Sequence, residues 1–227
     1  MLESLFLISL PFWGACLGGI LALKIGRLGS QWQPLLLAFS GSFLLAITFF
    51  ELLPKVYLGF DFEPGYWIIA GIVIQIGLEY FSRGVEHGHA HISSARTFPY
   101  LMGLSLGIHA FIEGIPSAEF PHLSLGLAVH KIPIAIALYG LWIRNPSLTE
   151  KSFYSALLVF SLLTPLGSVV GFFLKGQQIL FLSVTAVVIG MLLHIATTIL
   201  FETNEGHRIQ GSKMLVILLG FFVGSLM

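Results

Sequence analysis

The sequence predicts an all-α, polytopic membrane protein with eight transmembrane helices. Three observations carry that expectation. Of the 227 residues, 56% are hydrophobic and only 10% are charged, and the mean hydropathy is +0.92, far more apolar than a soluble domain of this length. The apolar runs are continuous over roughly 20 residues, the length an α-helix needs to cross about 30 Å of hydrocarbon. They lack the alternation of spanning strands, which excludes a β-barrel.

In chain order, the helices are expected at 4–23, 34–54, 65–82, 100–119, 122–143, 152–174, 178–201 and 212–227. The first resembles a secretory signal in length but lacks a basic leader, Glu3 being its only early charge, so it reads as a retained helix. Two glycines in the stretch 24–33 break the chain before the second helix, which closes on Phe50-Glu51-Leu52-Leu53-Pro54. Asp61 to Gly65 forms the next turn. The third helix carries Glu79 near its end, and a polar stretch with His87, His89 and His91 follows. Helices four and five are joined only by Glu119 to His122, which predicts a tight antiparallel hairpin with its ionisable faces in mutual reach. Arg144 to Ser147 separates helices five and six, and the seventh helix holds His194 late in an apolar run.

The net charge is zero and the pI about 7.1, so nothing suggests a nucleic-acid partner. Cys16 is the single cysteine, which rules out an internal disulfide. If both termini lie outside, the inner loops carry Lys24, Arg27, Arg83, Arg96, Arg144, Lys151, Arg208 and Lys213, and the outer loops only Lys55 and Lys175. That bias assigns both termini to the outside and the histidine tract to the cytoplasm. Residues 1–227 then form a single transmembrane domain, with 83–99 as a cytoplasmic histidine-containing loop.

Ionisable groups inside the membrane cost several kcal/mol each and so face a bundle interior or a wet path. The candidates are Glu51, Glu79, His109, Glu113, His130, Lys131 and His194. At about 1.5 Å per residue, His109 and His130 lie roughly 12 to 14 Å into their helices, near the bilayer midplane. His109 and Glu113 are four residues apart, on one helical face, and can share a cation to which His130 adds a nitrogen. Nitrogen with carboxylate suits Zn²⁺, or Fe²⁺ and Mn²⁺ with added water, better than Mg²⁺ or Ca²⁺. Pro116 and Pro133 cannot donate to the carbonyls of Ile112 and Val129, so bent helices with exposed acceptors are expected there. The competing reading is a hydrogen-bonded His-Glu pair that only joins helices.

At these residues the chain resembles the ZIP (ZRT/IRT-like) family of divalent-metal transporters. His109-Ala-Phe-Ile-Glu113-Gly114 is similar to the family's His-Asn-x-x-Glu-Gly element, and His130-Lys131-Ile-Pro133 to its His-Glu-x-Pro element. Glu51-Leu-Leu-Pro54, Leu78-Glu79-Tyr80 and Thr164-Pro165-Leu166-Gly167-Ser168 extend the likeness to the second, third and sixth helices. The resemblance implies a ZIP-like bundle in which helices one, four, five and six move against the rest. It also implies metal ligands at His109, Glu113 and His130. The family's second-metal positions fall on Ala110, Lys131 and Ile134, so one midplane metal is expected, with the Lys131 ammonium as a tethered cation in place of the second. Glu51, Glu79 and His194 are candidate pathway or second-layer groups, each with ordinary exposure or helix packing as the alternative. His87, His89 and His91 are candidates for transient metal capture.

The expected activity is transport of Zn²⁺, or of Fe²⁺, Mn²⁺ or Cd²⁺, toward the cytoplasm, with the metal as substrate and no cofactor. The expected surroundings are the lipid bilayer of a bacterial inner (plasma) membrane; a homodimer is left open. No Walker-type phosphate loop is present to suggest ATP hydrolysis. Two rival readings remain. An intramembrane zinc hydrolase could use two histidines and an acid, although no His-Glu-x-x-His element occurs and Glu113 leaves no obvious general base. A non-transporting metal sensor of ZIP-like fold would accommodate the lost second-site ligands.

Overall fold

The computed structural model describes residues 2–25, 32–59, 63–82, 84, 100–143, 149–202 and 211–227. These residues form helices and turns, with no strand among them. Each expected segment is a helix: α1 (Leu2–Ile25), α2 (Trp32–Gly59), α3 (Gly65–Ser82), α4 (Tyr100–Gly114), α5 (Pro121–Trp142), α6 (Glu150–Leu174), α7 (Gln178–Glu202) and α8 (Gly211–Ser225). The first seven are long and apolar enough to cross a bilayer, the fourth when its span is taken on through Ala118; α8 has 15 residues. This is an integral membrane protein. Outside Gly84, residues 83–99, with His87, His89 and His91, lie outside the described residues.

Local chemistry sets the irregularities. In α2 the backbone widens into a π-turn over Thr48–Leu52, where the Leu53 N–H donates to the Thr48 carbonyl. Pro54 follows immediately; its ring crowds the carbonyl four residues earlier, and a wider turn relieves that crowding. At Pro116 the outcome differs from the expected bend with an open acceptor. Helix α4 stops at Gly114, Pro116–Ala118 forms a 3₁₀ turn, and the Ile112 carbonyl accepts from Ile115 N at 3.1 Å. Helix α5 continues through Pro133.

Within lipid, helices associate through close packing and hydrogen bonds rather than through burial from water, so small residues decide which helices meet. Helix α1 lies along α5 and α6, and α4 along α6; α2 packs on α8 and α7, and α3 on α7. The two sets meet where α2 faces α5 and where α3 faces α4. The α4–α6 contact is closest at Gly114 and Gly167, where a Cβ would overlap the carbonyl oxygens of Thr164 and Phe111.

The expected tight α4–α5 hairpin is not formed by the backbones. These neighbours pack on other helices, α4 on α6 and α5 on α1, and only the 3₁₀ turn between them touches both closely. The gap is bridged by long polar side chains.

Candidate metal centre

Helix α4 stacks His109 and Glu113 one turn apart with both side chains fully buried, His109 Nε2 standing 3.0 Å from Glu113 Oε2. From α5, Lys131 crosses the gap and its Nζ donates to Glu113 Oε1. Thr164 of α6 stands 3.5 Å from the same oxygen and donates to the Ala110 carbonyl at 2.9 Å. The lysine is 1% exposed, with Nζ 4.6 Å above the Phe160 ring. It therefore does not snorkel: its charge is held by a carboxylate on one side and an aromatic face on the other.

Each histidine is oriented from α2 or α3. Gln75 Oε1 can only accept, so His109 Nδ1 donates to it at 3.2 Å, leaving Nε2 to face Glu113. His130 is buried on α5, its Nδ1 3.4 Å from Ser40 Oγ. The Ser40 hydroxyl also donates to the Leu37 carbonyl at 3.0 Å, which favours Nδ1 of His130 as the donor to Ser40. Partners on Nδ1 that fix the tautomer are what a metal-binding imidazole requires.

His109 Nε2 and Glu113 Oε2 stand 3.0 Å apart, close enough to share a proton as an ion pair or to be bridged by a cation. His130 lies near enough to act on Glu113 electrostatically. Even so, among the described residues no three His, Cys, Asp or Glu groups are gathered around one point. The structure thus brings together His109, Glu113 and Lys131, and holds His130 alongside, on Ser40.

The other candidates sort into two pairs. Glu79 Oε2 of α3 meets His194 Nε2 of α7 at 2.6 Å, one turn along α3 from Gln75. Glu51 Oε2, in the π-turn of α2, faces His122 Nδ1 of α5 at 3.5 Å. The positions at which the resemblance places a second metal's ligands are occupied differently. Ala110 and Ile134 belong to an apolar cluster with Ala15, Met102, Leu106, Leu141 and Phe160.

Gln75, Ser40, Thr164 and His122 were not among the candidates from sequence. Gln75 had a signal: it is a lone amide in an apolar run, four residues before Glu79, the spacing that marked His109 and Glu113. His122 was read only as part of a joint.

A family profile described as ZIP zinc transporter matches residues 82–227, which include α4 to α8 with His109, Glu113, His130 and Lys131. The chain belongs to the ZIP zinc transporter family. No curated protein matches it. As a ZIP protein it is a transporter of divalent metal, and that metal is its substrate. The matched span omits α1, α2 and all of α3 but Ser82, and so omits Ser40, Glu51, Gln75 and Glu79.

Proposed function

We propose that this ZIP protein carries Zn²⁺, with Fe²⁺, Mn²⁺ and Cd²⁺ as alternative cargo, toward the cytoplasm through one midplane site per protomer. His109, Glu113 and His130 hold the ion. The observation that carries this reading is the sealed His109–Glu113 pair, an imidazole nitrogen and a carboxylate oxygen 3.0 Å apart on one helical face. Borderline dications take such nitrogen and carboxylate ligands at about 2.0 to 2.2 Å.

Lys131 occupies the remaining Glu113 oxygen, so entry of a dication requires the ammonium to withdraw. Neighbouring positions on an α-helix are about 100° apart, so a rotation of α5 exchanges Lys131 for His130 at the carboxylate. That exchange trades a monovalent for a divalent partner and completes three protein ligands. Any proton on the His109 nitrogen leaves as metal binds, which couples binding to proton release. The apolar packing of Ala110 and Ile134 supports a single ion, since neither residue offers a ligand atom on its side chain.

The basic-residue bias supports an orientation with both termini outside and 83–99 as the cytoplasmic loop of a single domain, and we place the bundle in the lipid of a bacterial inner membrane. A homodimer is compatible with this arrangement. The Lys131–Glu113 pair also favours a second reading, a sensor in which the lysine keeps the carboxylate occupied and no ion crosses.

Zn²⁺ flux into proteoliposomes separates the two. The wild type is expected to accumulate Zn²⁺ down its gradient, and Glu113→Gln and His109→Ala to lose that flux. Equal flux in Glu113→Gln and wild type overturns the proposed site. No flux in wild type, with Zn²⁺ binding retained, selects the sensor.

A further inference from the structure

Helices α2 and α5 touch at a series of matched heights. Ser40 meets His130, Leu44 and Ile47 flank Gly126, and Glu51 meets His122. On α2 these positions fall at i, i+4, i+7 and i+11, and on α5 at intervals of four in the reverse direction, so one face of each helix forms an antiparallel seam. His122 lies about 12 Å along α5 from His130. The two ends of the seam are polar and its middle is apolar.

The Glu51–His122 end has the marks of an unfilled ligand pair. The Glu51 and His122 side chains are 24% and 42% exposed, yet Oε2 and Nδ1 themselves are shut off from solvent. Among the described residues neither atom makes a well-formed hydrogen bond, and the two face each other at 3.5 Å as a loose ion pair. Buried polar atoms are ordinarily paired. A nitrogen and a carboxylate oxygen each about 2.1 Å from one tetrahedral cation stand roughly 3.5 Å apart. The π-turn over Thr48–Leu52 sets Glu51 at the seam, and such turns recur at functional sites. Lys55, four residues after Glu51, pairs through Nζ with Glu119 Oε1 at 3.5 Å.

We propose that Glu51 and His122 form a second divalent-metal site, at the mouth of the α2–α5 seam and separate from the midplane. Its ligand is a borderline dication of the Zn²⁺ class, held by one imidazole nitrogen and one carboxylate, with water completing the shell. Two protein ligands bind more weakly than three, and a weak site at a mouth captures an ion without retaining it. The site stands independently of the midplane reading, because it shares no residue with it.

The test uses the full chain in lipid nanodiscs. In Glu113→Gln, which silences the midplane, with His87, His89 and His91 also changed to alanine to remove the loop tract, Zn²⁺ titration is expected to show one remaining weak equivalent per protomer. Adding His122→Ala or Glu51→Gln should weaken that equivalent at least tenfold. His122→Cys should restore it with preference shifted toward Cd²⁺, which a merely structural histidine would not do. On wild-type protein, anomalous scattering at the zinc edge should place an ion between Glu51 and His122. The proposal is overturned if no ion appears there, if the weak equivalent survives His122→Ala and Glu51→Gln, or if His122→Cys behaves as His122→Ala. If Glu113→Gln instead leaves all Zn²⁺ binding intact, the midplane reading fails, and the His122 variants still decide the mouth site.

Discussion

Replacing Lys131 by methionine removes one charge while keeping an unbranched apolar stem of similar length, and the geometry assigns it two effects of opposite sign. In the metal-free protein it strips Glu113, fully buried, of the ammonium on Oε1. Breaking a buried pair by removing one partner costs about 3 to 5 kcal/mol. For a chain of this size that corresponds to melting roughly 10 °C lower. In the metal-loaded protein the loss is a gain. If the ammonium withdraws to about 8 Å, its repulsion from a dication is about 4 kcal/mol at an effective dielectric near 20, and about half that in a wetter cavity. Without it, Zn²⁺ should bind roughly 30 to 1000 times more tightly. Thermal melting in chelator and Zn²⁺ titration of the same nanodisc preparation read the two effects. A variant that melts like wild type and binds Zn²⁺ with unchanged Kd would refute the tethered-cation reasoning. So would weaker binding, since a lysine that helped hold the metal is the opposite of a competitor.

Two other changes probe the supports of the site. Gln75→Leu removes the acceptor that fixes His109 Nδ1, and loss of such a partner should weaken Zn²⁺ binding by about 10- to 100-fold, read by titration against wild type. Gly114→Ala drives a methyl into the Thr164 carbonyl at the α4–α6 contact, for an expected loss of about 1 to 3 kcal/mol in thermal unfolding. A wild-type melting profile for Gly114→Ala would mean that α4 and α6 are not held at this spacing.

The eight helices were legible because continuous apolar runs of spanning length leave few alternatives in lipid. His109 and Glu113 were legible because four-residue spacing is a property of one helix and needs no knowledge of its neighbours. What periodicity cannot supply is which foreign helix a face will meet. Gln75 reaches His109 across 34 positions and Ser40 reaches His130 across 90, and no local signal announces either bond. The short joint between α4 and α5 suggested that they pack together, but connection length limits only where two helix ends lie. The glycines that bed α4 against α6 decided the rest. The π-turn depends likewise on how the bundle tolerates Pro54, and His122 gained meaning only when Glu51 was found opposite it.

The apolar middle of the α2–α5 seam sets a distance that cargo has to cover. Leu44 and Ile47 close over Gly126, and Leu123 and Leu127 belong to the same buried cluster, so no carboxylate or imidazole among the described residues of α2 and α5 lies between the two ends. An ion resting between Glu51 and His122 is eight helical steps from His130, about 12 Å. No swing of a side chain covers that span. Either the seam parts and water fills it, or α5 travels about two helical turns along α2. The same leucines and isoleucine that seal the bundle therefore define its stroke, and a cross-link between α2 and α5 at this level should arrest the carrier without touching a ligand.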